Sequence, residues 1–398
     1  MMEMALALLL ALADDVTIVT AQNEAIVVRE LTLEIQGDEL VVQYSDTSGK
    51  KGTLKAADLV EITFGKGGAP AGKPGADEVE IALTTGDLLA GKLGAKSDEG
   101  VRLQSSVYGD PLVKFEQLRG LVFPANRHLL PKALPKPDTN DVVLLASGDQ
   151  AVGSVNAVWS GGVAYRSKIL DADVTKTLGE VAGLWLVETN APPKEPTGLF
   201  AIVLTRDGSS LRGEVRSLKE GILVFKDLYG AEHKVPRDAL SGLYWKNGRV
   251  VYLSDLQPSA AEEDANFIRG PRKSASDLEY PFQRDRSAKG TRLMLGGVEH
   301  RKGLGVRARS SLAFALGGSF KRFQATVGLD ACSQGLGAVT AEVWIDAQKA
   351  REVTLKGNDA PQPLDLDVAG AKELRLVVTW AGHGQSDFAD WGSARLIR

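Results

Sequence analysis

Apolar and polar residues alternate with a period of two in short runs along most of the 398-residue chain, and long runs with an apolar period of 3.6 are almost absent. This pattern predicts a mostly β protein. The clearest runs share one plan: Ile81-Ala-Leu-Thr-Thr-Gly-Asp87 with Gly91, Val142-Val-Leu-Leu-Ala-Ser-Gly-Asp149 with Gly153, and Ala201-Ile-Val-Leu-Thr-Arg-Asp-Gly208 with Gly213. Each reads as strand, tight turn, strand, because glycine supplies a positive φ and aspartate bonds the turn backbone. In all three the second glycine follows the first by five residues. Each run later closes on a matching signature, Leu118-Arg-Gly-Leu-Val-Phe123, Val181-Ala-Gly-Leu-Trp-Leu186 or Leu240-Ser-Gly-Leu-Tyr-Trp245. A fainter first copy has Ile35-Gln-Gly-Asp38 and ends at Leu59-Val-Glu-Ile-Thr-Phe64.

The sequence therefore predicts an internal repeat over residues 14–65, 78–124, 140–188 and 199–250. Short strands packed into roughly 45 residues per copy suit a small SH3-like or Sm-like barrel better than a solenoid turn. Units this small bury little core alone, so they are expected to pack in pairs. The segments between copies, Gly65 to Gly75, Pro124 to Asp141 and Asn190 to Pro196, are Gly- or Pro-rich and read as linkers.

From Val251 the texture changes to longer strands with glycine-rich corners, at Leu312–Leu316, Phe320–Leu329, Val339–Ile345, Pro363–Val368 and Leu374–Trp380. Their spacing fits a two-sheet sandwich over residues 251–398. In this stretch Val251-Tyr-Leu-Ser-Asp-Leu256, Lys302-Gly-Leu-Gly-Val306, Phe320-Lys-Arg-Phe323, Val327-Gly-Leu-Asp330, Val368-Ala-Gly-Ala371, Leu374-Arg-Leu-Val-Val-Thr379 and Asp387-Phe-Ala-Asp-Trp391 occur in order. These motifs resemble the NPCBM family of carbohydrate-binding modules. The resemblance implies a jelly-roll, galactose-binding-like sandwich that recognises sugars. The chain departs from the family at Arg307 and Phe388, where the family usually shows histidine, and near Gly382-His-Gly384, where it tends to be acidic.

Sugar sites set an aromatic face against C–H groups and add a few polar residues for the hydroxyls. The stretch Trp380 to Trp391 holds those types together, and Trp380, His383, Gln385 and Asp387, with Arg307, are the candidate sugar contacts. Trp391, at the start of a final apolar strand, reads as core. Asp387 and Asp390 are spaced as a loop metal pair would be, yet turn formation explains them equally, and neither metal nor other cofactor is expected.

Charge removes two partner classes. With 47 Lys plus Arg against 51 Asp plus Glu, the net of −4 leaves no electrostatic footprint for nucleic acid or anionic membrane. Apolar residues Ala5 to Ala13 end in Ala11-Leu12-Ala13, the small-x-small pattern of a signal peptidase site, so residues 1–13 read as a signal peptide and the protein as exported. No run approaches the roughly 20 apolar residues of a membrane span. Cys332 stands alone, which excludes an internal disulfide and a thiolate metal cluster. The four histidines fall in separate segments, and no motif announces a nucleophile with its base, so the chain is expected to be no enzyme. Two functions of different class follow: an exported carbohydrate-binding protein whose barrels act as spacer or protein-interaction platform, or a structural or adhesion protein whose sandwich and barrels contact other proteins.

Overall fold

The computed structural model describes residues 16–22, 24–65, 78–130, 134–263, 280–382 and 386–398. The expected signal segment, most of the first linker, His383 and Gln385 lie outside the described residues. The chain divides into two compact units, Met1–Gly248 and Arg249–Arg398.

The first unit holds the repeat. Its strands are β1 (Val16–Thr20), β2 (Ala25–Gln36), β3 (Glu39–Asp46), β4 (Lys51–Lys55) and β5 (Leu59–Phe64) in copy one. Copy two has β6 (Glu78–Leu83), β7 (Leu88–Leu93), β8 (Gly100–Gln104), β9 (Leu112–Lys114) and β10 (Leu118–Val122). Copy three has β11 (Asp141–Leu145), β12 (Gln150–Trp159), β13 (Gly162–Ser167), β14 (Ala172–Lys176) and β15 (Val181–Trp185). Copy four has β16 (Phe200–Thr205), β17 (Ser210–Lys219), β18 (Ile222–Asp227), β19 (Glu232–Pro236) and β20 (Leu240–Lys246). In every copy four strands form an antiparallel meander, one turn of 3-10 helix follows, and the fifth strand returns to pair with the first.

The two glycines of each repeat do different jobs. Gly86, Gly148 and Gly208 take positive φ of 89°, 91° and 101° in the first hairpin, where other residues would be strained. Gly91, Gly153 and Gly213 lie where the second strand presses on the third: a Cβ would come within 2.6, 1.9 and 2.3 Å of the carbonyl oxygens of Gln104, Arg166 and Lys226. The closing signatures also have a physical cause. β10 pairs with β6 of its own copy and with β15 of copy three, and β20 pairs with β16 and with β5 of copy one. Strands so enclosed read as continuous apolar sequence, as in Val181-Ala-Gly-Leu-Trp185, all buried.

This pairing corrects one expectation. The copies do not stand as separate barrels; hydrogen bonding crosses from copy to copy, and all twenty strands belong to one antiparallel sheet. Pairing of units does occur, with copies two and three joined at one seam and copies one and four at the other. Copies two and four meet through Asp87 and Arg212 (Oδ1 to Nε 2.7 Å) and through the Thr84 and Tyr229 hydroxyls at 2.8 Å. One continuous apolar core runs through all four copies.

The second unit is a two-sheet antiparallel sandwich. Its strands are β21 (Val250–Tyr252), β22 (Ala260–Glu263), β23 (Gln283–Arg284), β24 (Leu293–Leu295), β25 (Val298–His300), β26 (Gly303–Arg307), β27 (Ser310–Ala315), β28 (Arg322–Leu329), β29 (Ala338–Ile345), β30 (Gln348–Lys356), β31 (Gln362–Asp367), β32 (Glu373–Trp380) and β33 (Phe388–Ile397). One sheet runs β23-β26-β33-β28-β31 with β21 on β33, and the other runs β22-β27-β32-β29-β30. Side chains alternate into a shared core that includes Phe314, Phe323, Val339, Leu376 and Trp391. Trp391 is 1% exposed, a core residue as its position suggested.

Candidate functional site at one end of the sandwich

A single crossover between the sheets assembles the site. β26 ends at Arg307, which stands opposite Phe388, the first residue of β33. The chain then passes through Ala308 and Arg309 into β27 of the other sheet. Arg309 takes a left-handed φ of 70°, and its amide donates to the carbonyl of Val378 on β32 at 2.7 Å. Two residues beyond Val378, β32 ends at Trp380. Arg307, Arg309, Trp380 and Phe388 thus belong to one end of the sandwich.

Aromatic rings and cations interleave there. The Arg309 guanidinium lies 4.4 Å from the Trp380 ring centroid, and Trp380 is 37% exposed, a large apolar face in reach of solvent. Phe388 meets Tyr280 edge to face at 5.1 Å. Arg307 lies over both, 5.8 Å from Tyr280 and 5.9 Å from Phe388, and Lys289 Nζ lies 4.5 Å from the Phe388 centroid. Lys289 also donates to the Cys332 carbonyl at 3.3 Å.

Asp387 is not the solvated loop residue that its neighbours suggest. It is 2% exposed; its Oδ1 accepts from the Ala338 amide at 2.9 Å, and its carbonyl accepts from the Ala308 amide at 2.9 Å. It therefore ties β29 and the β26–β27 crossover to the start of β33. Its Oδ2 is buried and receives no hydrogen bond. Burial raises its pKa against the opposing pull of the Ala338 amide and of Arg307.

Three residues further along, Asp390 belongs to a carboxyl pair. Asp390 is fully buried, and neither oxygen receives a hydrogen bond from a nitrogen or hydroxyl. Its partner is Asp330, itself 3% exposed, whose oxygens already accept from the amides of Cys332 (2.8 Å) and Met294 (3.0 Å). Two acceptors can share a hydrogen bond only if one carries a proton. Burial, together with the Asp330 charge, pushes Asp390 up to about 11. Asp330 also suffers burial, but the hydrogen bonds from Asp390, Cys332 and Met294 outweigh it and lower its pKa. Burial and the nearby Asp330 push the Cys332 thiol up to about 12, which leaves no reactive thiolate.

Of the sequence candidates, the structure brings Trp380, Arg307 and Asp387 to this end, whereas His383 and Gln385 lie outside the described residues. Tyr280, Lys289 and Arg309 were not found from sequence. Lys289 and Tyr280 come from the irregular stretch before β26, which carries no periodic signal. Among the described residues no three His, Cys, Asp or Glu side chains converge as a metal site, and no helix is long and apolar enough to cross a membrane.

Fold and site together define a β-sandwich module with an aromatic and cationic end. Residues 249–397 are an NPCBM/NEW2 domain, matching that family over nearly the whole unit. Over 190 residues, 41% of this chain, the sequence is 28% identical to a protein of Renibacterium salmoninarum named "Putative endo-alpha-N-acetylgalactosaminidase". The match spans only 12% of that protein's length. Among solved structures, CBM51 from Clostridium perfringens GH95 in complex with methyl-galactose is similar at 26% identity, covering 37% of this chain and 99% of that one, with a TM-score of 0.31. The tandem CBM51 modules of the Streptococcus pneumoniae family 98 glycoside hydrolase are similar at 14% identity, covering 96% and 88% of the two chains, with a TM-score of 0.32.

Proposed function

We propose that the chain is an exported, non-catalytic carbohydrate-binding protein, with sugar held at the Trp380 end of an NPCBM sandwich of jelly-roll, galactose-binding-like type. The observation that supports it most is the exposed Trp380 ring, braced by Arg309, beside the half-buried Arg307 and buried Asp387. An aromatic face with a charged donor and a carboxylate acceptor is the chemistry that sugar rings and hydroxyls need. The family of residues 249–397 agrees with this. The repeats serve as spacer or interaction platform, and the recurring strand order five-one-two-three-four in each copy supports an SH3-like ancestry for them. A glycan-array screen of the full chain tests the proposal. Saturable binding to a defined glycan class is the expected result, and a blank array with folded protein would move the assignment to adhesion or scaffolding.

One observation favours that second reading. Copies one and four form a hollow of about 270 Å³ lined by the apolar Ile35, Leu40, Leu199 and Val215 and by the charged Asp38, Glu39, Lys55, Glu214 and Arg216. Ile35 is 47% exposed there, an apolar surface of the kind that protein contacts use.

A further inference from the structure

We propose that the N-terminal unit binds a second copy of this chain, copy three against copy three about a two-fold axis, through the same face by which copies two and four meet within the chain. The inference is independent of the carbohydrate reading and assigns a partner to the repeats.

Copies two and four meet as a near-symmetric pair. The register of the first hairpin is the same in each copy: Leu88 stands opposite Ala82, Gln150 opposite Leu144 and Ser210 opposite Leu204. Leu88 and Ser210, equivalent residues of copies two and four, are paired with each other across the contact. One residue before each, Asp87 and Ser209 exchange bonds: the Arg212 amide donates to Asp87 Oδ1 at 3.3 Å, and the Ala90 amide donates to Ser209 Oγ at 3.0 Å. The tip between the third and fourth strands of each copy reaches the other copy as well. Tyr229, between β18 and β19, meets the Thr84 hydroxyl at 2.8 Å, and Tyr108, between β8 and β9, meets His233 edge to face at 5.3 Å. Such reciprocal contacts between equivalent positions are the mark of a two-fold interface.

Copy three carries the same face, exposed. Asp149 takes the place of Asp87 and makes the same turn bond: its Oδ2 accepts from Ser147 Oγ at 2.9 Å, as Asp87 Oδ2 accepts from Thr85 Oγ1 at 2.9 Å. Its tip is held likewise, the Leu170 amide donating to Ser167 Oγ at 3.2 Å where the Tyr108 amide donates to Ser105 Oγ at 3.1 Å. Val107, Tyr108 and Tyr229 at the other tips pack on the shared core, whereas Ile169 and Leu170 are 79% and 67% exposed. Asp149 and Gln150 are exposed beside them. A second copy three is the partner that fits. Ile169 lies two residues after the partner of Gly153, as Tyr229 lies two residues after the partner of Gly213, and Ala146 holds the Thr84 position in the first turn. The symmetric contact therefore sets Ile169 on Ala146 and replaces a hydroxyl pair by an apolar one. Copy one offers no such match, because its tip, Asp46-Thr-Ser-Gly49, has no apolar residue. A two-fold contact closes on itself, so the assembly stops at a dimer.

Sedimentation of the full chain over a range of concentrations tests this. A monomer–dimer equilibrium should be seen that is mostly dimer by about 100 µM, in keeping with a small contact. Ile169→Ser combined with Leu170→Ser, two exposed positions where the fold is retained, should weaken dimerisation about tenfold or more. Gln150→Cys is the second arm. With residue 150 facing its counterpart in the second chain, as Leu88 faces Ser210, the two cysteines fall within disulfide reach and should cross-link under mild oxidation, whereas the unsubstituted chain with Cys332 alone should not. Ser48→Arg at the tip of copy one should leave the dimer intact. The proposal is overturned if the full chain stays monomeric throughout, if the double substitution leaves the dimer undiminished, or if Gln150→Cys gives no cross-link. Weakening by Ser48→Arg would overturn it in favour of a contact through copy one.

Discussion

Asp390 shows how much a single residue can mean in this fold. Its folded pKa of about 11 stands far above the value of about 3.9 that an unfolded aspartate has. Between those limits the folded state holds a proton that the unfolded chain has released, so the stability contributed by this group is full below about pH 4 and falls as pH rises toward 11. Asparagine in its place has no proton to lose yet still donates to Asp330. Asp390→Asn should flatten the decline in urea midpoint of the C-terminal unit between about pH 5 and 9; an unchanged slope would place the pH dependence elsewhere. None of this was visible in the sequence, where Asp387 and Asp390 looked alike as turn or loop carboxylates. Their difference comes from their places in the fold: Asp387, just before β33, meets the amide of Ala338 on β29, whereas Asp390, inside β33, meets Asp330.

Among the elements, the repeated glycines set how closely the strands of each copy approach. Gly213→Ala forces a Cβ against the Lys226 carbonyl and should cost about 1–3 kcal/mol, the usual range for overpacking. Gly198→Ala, with no atom within 4 Å of the added Cβ, should stay within about 0.5 kcal/mol. Denaturation midpoints of the N-terminal unit compare the two directly, and equal effects would contradict the close approach. The hairpins were legible because Gly-Asp turns and period-two alternation are local signals. Five sandwich strands were legible for the same reason. β30 was not: Gln348 to Lys356 is an edge strand, mostly exposed, and lacks an apolar face to alternate. The second linker, Pro124 to Asp141, also departs from a bare connector, since Pro124–Leu129 forms a short 3-10 helix beside β15, where Leu129 and Leu130 pack against the cluster of Leu144, Ala182 and Trp185.

Across the whole molecule, the sequence disclosed four copies but not how they join. Edge pairing depends on which strand ends lie side by side, and that is set by contacts far apart in the chain. The closing signature held a clue, because a strand apolar at every position is buried on both faces. The copies also meet through polar contacts. Asp87 is 4% exposed, and burial raises its pKa in spite of the Arg212 guanidinium. Asp87→Ala leaves Arg212 with Glu195 on its exposed side, and should cost roughly 3 kcal/mol by removing one partner of a buried pair. A loss of cooperativity in unfolding of the N-terminal unit would show that this pair couples copies two and four.

Sugar binding at the Trp380 end of the sandwich can be measured as the glycan affinity of the full chain and of Trp380→Ala beside their thermal unfolding midpoints. Binding is expected to be lost while the midpoint scarcely moves, because Trp380 is 37% exposed. Undiminished binding, or loss of binding only together with loss of folding, would contradict a sugar site at Trp380.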